Sequence, residues 1–212
     1  MNIKKPHTAF LFFLGATILF FVLALLVQTG VLNSLNASMN VWFLYIGNDF
    51  LSYIAIIVNT LTTPTAFSVM YVFAMIFFFG RGMKREALLF TMGIVVASGL
   101  ALLFKNLFAV VRPDGQIVET LSHYAFPSGH TTLATIFLFL LAFFAGPTLK
   151  HSLKEEVIFG AVFMIVLVAL SRLYLSVHWL GDVLGGITLG LAVSFLMIWI
   201  FDQGQHFKKF KV

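Results

Sequence analysis

Cysteine is absent from this chain, and charge is scarce: only 10% of its 212 residues are Asp, Glu, Lys or Arg. Without a thiol there is neither a disulfide framework nor a thiolate metal site. Acidic residues are the rarer sign, 8 against 13 Lys and Arg, giving a net charge of +5. Such an excess of base can signal nucleic acid, but here the basic residues sit in short loops beside apolar runs. That pattern is the mark of membrane orientation and points away from nucleic acid as a partner.

What fills the chain is apolar side chain. A hydrophobic fraction of 60% and a mean hydropathy of +1.02 place it in the integral membrane class. The expected fold is all-α: one polytopic helix bundle over 1–212, with about six spans of roughly 20 residues. No length is left over for a separate soluble domain.

The first span is expected near Thr8–Val27, after Lys4 and Lys5. Its apolar run is longer than the roughly 7–15 residues of a signal peptide, and no small-residue cleavage site follows. Asn33 to Asn48 mixes Asn with Leu, Trp and Tyr and reads as an interfacial segment. Leu51 to Gly80 lacks charge but is too long for one span. Pro64 is expected to break it into a surface or re-entrant piece and a second span near Pro64–Phe79. Further spans are expected near Ala87–Phe104, Thr131–Pro147, Val157–Leu170 and Val183–Phe201.

With six spans, Lys4, Lys5, Arg81, Lys84, Arg85, Lys150, Lys154, Lys208, Lys209 and Lys211 all fall on one side. The positive-inside rule makes that side cytoplasmic, together with both termini. Lys105, Arg112 and Arg172 fall on the other side, against the bias, and all three belong to short polar strings.

Those strings are Lys105-x6-Arg112-Pro113, Pro127-Ser128-Gly129-His130, and Ser171-Arg172-x5-His178-x3-Asp182. An ionisable group facing lipid costs about 2.5–3.5 kcal/mol or more, so such groups near a bilayer are kept for function. Each string falls at the outer end of an expected span. Ser128 is expected to cap the next helix, whose free N–H groups then form an anion site. Gly129 lets the backbone approach an oxygen closely. His178 and Asp182 are four apart and, on a helix, share a face.

Together these groups suit phosphoryl transfer through a histidine. Lys105, Arg112 and Arg172 neutralise the oxygens on which transition-state charge spreads. A neutral imidazole attacks phosphorus while a carboxylate on its other nitrogen fixes the tautomer. His178 is the histidine with a carboxylate at i+4, which leaves His130 to protonate the leaving alkoxide and later to deprotonate water.

The three strings resemble, without departure, the signature of the type 2 phosphatidic acid phosphatase superfamily. These are integral membrane lipid phosphatases, related in active site to bacterial nonspecific acid phosphatases and vanadium haloperoxidases. Residue by residue, the resemblance implies His178 as nucleophile, Asp182 as its orienter and His130 as acid. It implies Lys105, Arg112, Ser128, Gly129 and Arg172 as phosphate ligands, with no metal and no cofactor. The compact length is similar to bacterial members acting on phosphatidylglycerol phosphate, undecaprenyl diphosphate or phosphatidate. Phosphatidylglycerol phosphate is placed first, on resemblance alone.

Competing readings attach to the same residues. Lys105 and Arg172 can snorkel at helix ends, and Asp182 can cap a helix. His130, His178 and Asp182 form a familiar metal-ligand set, although three neighbouring cations would repel a metal. A lipid phosphotransferase would use the same groups, and a lipid-binding or transport protein would use the cations alone. His123 and Tyr124 are candidates for the mouth of the site, Asp114 for a turn, and Trp42 and Trp179 for interfacial anchors.

Overall fold

The computed structural model describes residues 6–118 and 124–209. Among these residues the chain is all helix: α1 (Pro6–Gln28), α2 (Asn33–Tyr45), α3 (Asp49–Leu61), α4 (Pro64–Gly80), α5 (Lys84–Phe108), α6 (Gly129–Ala145), α7 (His151–Tyr174) and α8 (Leu180–Lys209). A short 3-10 turn, Gly146–Thr148, extends α6. Lys4, Lys5, His123 and Lys211 lie outside the described residues.

Five of these helices, α1, α5, α6 with its extension, α7 and α8, are long and apolar enough to cross a membrane. The expected second span is α4, whose 17 residues make it about 25 Å long, slightly short of a 30 Å hydrocarbon core. The break at Pro64 is where the sequence puts it. Pro64 is the first residue of α4, and the Thr63 hydroxyl accepts the Ala66 N–H at 3.3 Å. The Asn-rich segment and the piece after it form two helices, α2 and α3, bent by 118° to each other. Asn48 starts the second by accepting the Leu51 N–H at 3.0 Å.

Span limits needed correction at several ends. The third span runs on to Phe108, past Lys105, and the fifth covers His151 to Tyr174 rather than 157–170. In each case polar residues occupy the final turns, which a reading based on apolar runs trims away.

At the centre lies α8, with α1, α5 and α6 packed on it, while α7 lies between α6 and the α2–α3 pair. The approach of α6 to α8 is close because α8 offers glycine there. A Cβ on Gly186 would sit 2.7 Å from the Ser128 carbonyl oxygen, and one on Gly190 would sit 2.7 Å from Thr135 Cβ. Small residues spaced four apart let helix backbones touch, which is how membrane helices associate without a hydrophobic driving force. Here Gly186-x-x-x-Gly190 faces Thr131, Thr132 and Thr135 of α6, so the starts of the two helices are locked side by side.

A second anchor is aromatic. Phe126, fully buried, stacks with Phe20 at 5.7 Å and meets Phe108 edge-on at 5.4 Å. Its ring fills the space left by Gly185, which seats the segment leading into α6 against α8. At the opposite end of the bundle the Arg85 guanidinium donates to the Ile200 and Phe201 carbonyls at 3.0 and 2.7 Å.

Candidate active site

All three polar strings converge at one end of the bundle. Lys105 stands in the last turn of α5 and donates through Nζ to the Tyr124 and Ala125 carbonyls, at 2.7 and 3.3 Å. The lysine thereby fastens the segment carrying Ser128 to its own helix. Helix α5 ends with Ala109 in the left-handed region, at φ 49°, so Arg112 lies beyond the helix. It is delivered by a non-helical stretch, and Pro113 after it disfavours further helix. Arg112 Nη1 donates to the Val177 carbonyl at 2.6 Å and lies 3.3 Å from His178 Nε2.

Ser128 occupies the N-cap position of α6, but its side chain makes no capping bond. That expectation is corrected. The Ser128 hydroxyl instead accepts from Thr131 Oγ1 at 3.0 Å, and its N–H donates to the Asp182 carbonyl at 2.9 Å. The N–H groups of the first turn of α6 are therefore not consumed by its own cap. Gly129 is flanked by Lys105, whose Cε would lie 3.9 Å from an added Cβ. His130, half-buried, is in the first turn of α6 and within electrostatic reach of Arg172, Arg112 and Lys105.

His178 and Asp182 do pair, though not along one helix. Helix α8 begins at Leu180, so His178 sits in the preceding turn and Asp182 reaches back to it. His178 Nδ1 lies 3.3 Å from Asp182 Oδ2, and the same oxygen accepts the Trp179 N–H at 2.8 Å. With Trp179 as the residue before the helix, Asp182 is its third residue and supplies the carboxylate half of a capping box. Its other oxygen, Oδ1, is buried with no hydrogen-bond partner among the described residues.

Burial first, then the Arg112, Lys105 and Arg172 cations, hold the His178 imidazole well below the ordinary histidine range. It is therefore neutral at physiological pH. With Nδ1 directed at Asp182 and Nε2 at an Arg112 donor, the consistent tautomer carries its proton on Nδ1 and a lone pair on Nε2.

Arg172, only 3% exposed, is the group the protein satisfies least. Its Nε and Nη2 are buried and have no hydrogen-bond partner among the described residues. A buried guanidinium with idle donors matches the fork geometry of a phosphate oxyanion. Snorkelling is thereby corrected for Arg172, which points inward. Among the described residues, no three His, Asp or Glu side chains converge as metal ligands.

Trp179 has a second role within the fold. Its indole N–H donates to the Val111 carbonyl at 2.8 Å, tying the Arg112 segment to the His178 turn. Its position beside His178 was the signal available in the sequence. Trp42 is 51% exposed, as an interfacial residue would be, and Asp114 lies exposed in a bend beside Gly115 at φ 76°.

A family model described as the PAP2 superfamily matches residues 86–205, more than half of the chain and all three strings. The chain belongs to the PAP2 superfamily. Among PAP2 relatives it is 37% identical over 103 residues to phosphatidylglycerophosphatase B of Bacillus subtilis, covering 47% of this chain and 50% of that protein. It is 30% identical over 127 residues to the undecaprenyl-diphosphatase of Sulfolobus acidocaldarius, covering 57% and 58% respectively. The matches thus span about half to three-fifths of these relatives' lengths. The fold agrees more widely. The crystal structure of a transmembrane PAP2-type phosphatidylglycerolphosphate phosphatase from Bacillus subtilis superposes with a TM-score of 0.79 at 28% identity. It covers 96% of this chain and 98% of that one.

Proposed function

We propose that this PAP2 protein is a membrane lipid phosphatase that removes the terminal phosphate of phosphatidylglycerol phosphate through a phosphohistidine on His178. The observation that carries the reading is the pair of idle, buried Arg172 donors, together with an imidazole that Asp182 meets at Nδ1. Choosing this lipid follows the names of the Bacillus subtilis relative and of the superposed structure.

In this reading His178 Nε2 attacks phosphorus and the bond to the lipid oxygen breaks. His130 gives that oxygen its proton. Lys105, Arg112 and Arg172 hold the remaining oxygens, together with the Ser128 hydroxyl and the Gly129 N–H. Asp182 keeps the Nδ1 proton in place and offsets the positive charge that the ring acquires on phosphorylation. Water then attacks the phosphohistidine, loses its proton to His130, and inorganic phosphate leaves. None of these steps calls on a metal. The positive-inside rule would put the site on the extracytoplasmic face of the cell membrane, with the lipid's chains left in the bilayer.

A second substrate reading, undecaprenyl diphosphate, is favoured by the Sulfolobus relative. The test is phosphate release by the purified protein in detergent with EDTA present, comparing the two lipids and using His178→Ala as the blank. Release that the variant abolishes is expected, and the ratio of rates ranks the lipids. A rate that EDTA removes and Mg²⁺ restores would overturn the mechanism.

A further inference from the structure

Helix α2 turns two of its Asn side chains toward the protein. Its exposed side carries Leu35, Val41, Trp42 and Leu44, whereas Asn36, Met39, Asn40 and Phe43 form the stripe facing the protein. That spacing of i, i+3, i+4 and i+7 is one helical face, and it places two carboxamides against the turn that carries His178. Asn40 Oδ1 accepts from the Ser176 hydroxyl at 2.9 Å. Asn36, 7% exposed, accepts the Gly181 N–H through Oδ1 at 3.4 Å. The two bonds lie on either side of His178 in the sequence.

The turn they grip has need of support. Ser176 sits at φ 53°, a left-handed conformation that a residue with a Cβ adopts only when its surroundings impose it. Gly181 is pressed so close to α1 and α2 that an added Cβ would meet Val27 Cγ2 at 2.6 Å. The α2–α3 corner is fixed in turn. Asn48 N–H donates to the Tyr174 hydroxyl at 3.1 Å, and that hydroxyl contacts Ser52 Oγ at 2.9 Å. Tyr174 lies two residues after Arg172, so the corner holds the same end of α7 that brings the guanidinium into the site.

We infer that Asn40, acting through Ser176, is a positioning residue for His178, and that α2 serves as a brace for the nucleophile-bearing turn. The inference rests on the reading of His178 as nucleophile. Neither amide is argued to touch substrate. Their part is to hold the imidazole where Nε2 is in line with phosphorus, and a displacement of about 1 Å costs roughly a hundredfold in rate.

The test compares kcat and KM for phosphatidylglycerol phosphate in mixed micelles among Asn40→Ala, Ser176→Ala, the double variant and Asn40→Asp, with His178→Ala alongside. Asn40→Ala should lower kcat by roughly tenfold or more while KM stays within about twofold. Ser176→Ala should do the same, and the double variant should fall no further than the worse single, because both remove one bond. Asn40→Asp, which keeps an acceptor oxygen, should recover most of the rate. If Asn40→Ala does not fold, Ser176→Ala and Asn40→Asp still carry the comparison. An undiminished kcat, or single effects that multiply in the double variant, overturns the brace. An active His178→Ala protein would instead overturn the nucleophile reading beneath it.

Discussion

The α6–α8 contact makes a demand that a single methyl group can test. Gly186 meets α6 so closely that a Cβ there would lie 2.7 Å from the Ser128 carbonyl oxygen and 3.2 Å from the Thr132 nitrogen. Both are backbone atoms and neither can rotate away, so Gly186→Ala must push the helices apart by roughly half an ångström, an overpacking that costs about 1–3 kcal/mol. Alanine regains about 1 kcal/mol through its better helix propensity, leaving a net loss of roughly 0–2 kcal/mol. The catalytic effect should be the larger one. The start of α6 carries Ser128 and His130, and the start of α8 carries Asp182, joined by the Ser128 N–H to Asp182 carbonyl bond of 2.9 Å. Half an ångström between those groups should reduce kcat by about tenfold.

The control is the same substitution where there is room. Gly160, on α7, has nothing within 4 Å of an added Cβ. Gly160→Ala should leave kcat alone and raise the unfolding temperature slightly. Thermal unfolding in detergent and phosphate release, measured on both variants, separate the two cases. Were Gly186→Ala as active and as stable as Gly160→Ala, the helix starts would not be held in register by this contact, and the account of how α6 and α8 assemble the site would fail.

Two other outcomes follow from the same geometry. Asp182→Asn keeps an oxygen for the Trp179 N–H but removes the charge beside His178 Nδ1; turnover should drop by about a thousandfold or more with little change in unfolding temperature, and a near-normal rate would remove Asp182 from the mechanism. For orientation, single cysteines at Gly115 and Lys150 should label from opposite faces of sealed vesicles with a membrane-impermeant maleimide; labelling from one face would refute the expected topology.

Much of this arrangement was legible because it is written locally. Pro64 breaks a charge-free run whatever surrounds it, and α4 begins there. Cations outside the loop bias, at Lys105, Arg112 and Arg172, marked the strings that the fold brings to one end. What stayed hidden depends on tertiary contact. The spacing of Lys105 and Arg112 does not show that Ala109 turns left-handed and ends α5 before Arg112. Ser128 looked like a side-chain cap, yet the nearby Thr131 hydroxyl and Asp182 carbonyl claim its polar atoms. The Asn residues of α2 read as interfacial because a sequence does not say which face of a short helix meets protein.

Asp182 shows why a structural and a chemical reading of one residue need not compete. As the third residue of α8 its carboxylate satisfies the Trp179 N–H, an ordinary helix-start contact, and the same oxygen faces His178 Nδ1. The capping bond fixes where that oxygen lies, so the charge that orients the imidazole is placed by the helix itself rather than by a flexible side chain. His178 is one residue before the cap, where the chain is not yet helical and the ring can turn toward Arg112. A histidine four residues ahead of a carboxylate within a helix would point along the helix surface. Placed across the helix start, the pair is buried at the bundle end. There Arg112 and Arg172 are carried by other segments, so in the proposed reaction a phosphate would be met from several sides at once.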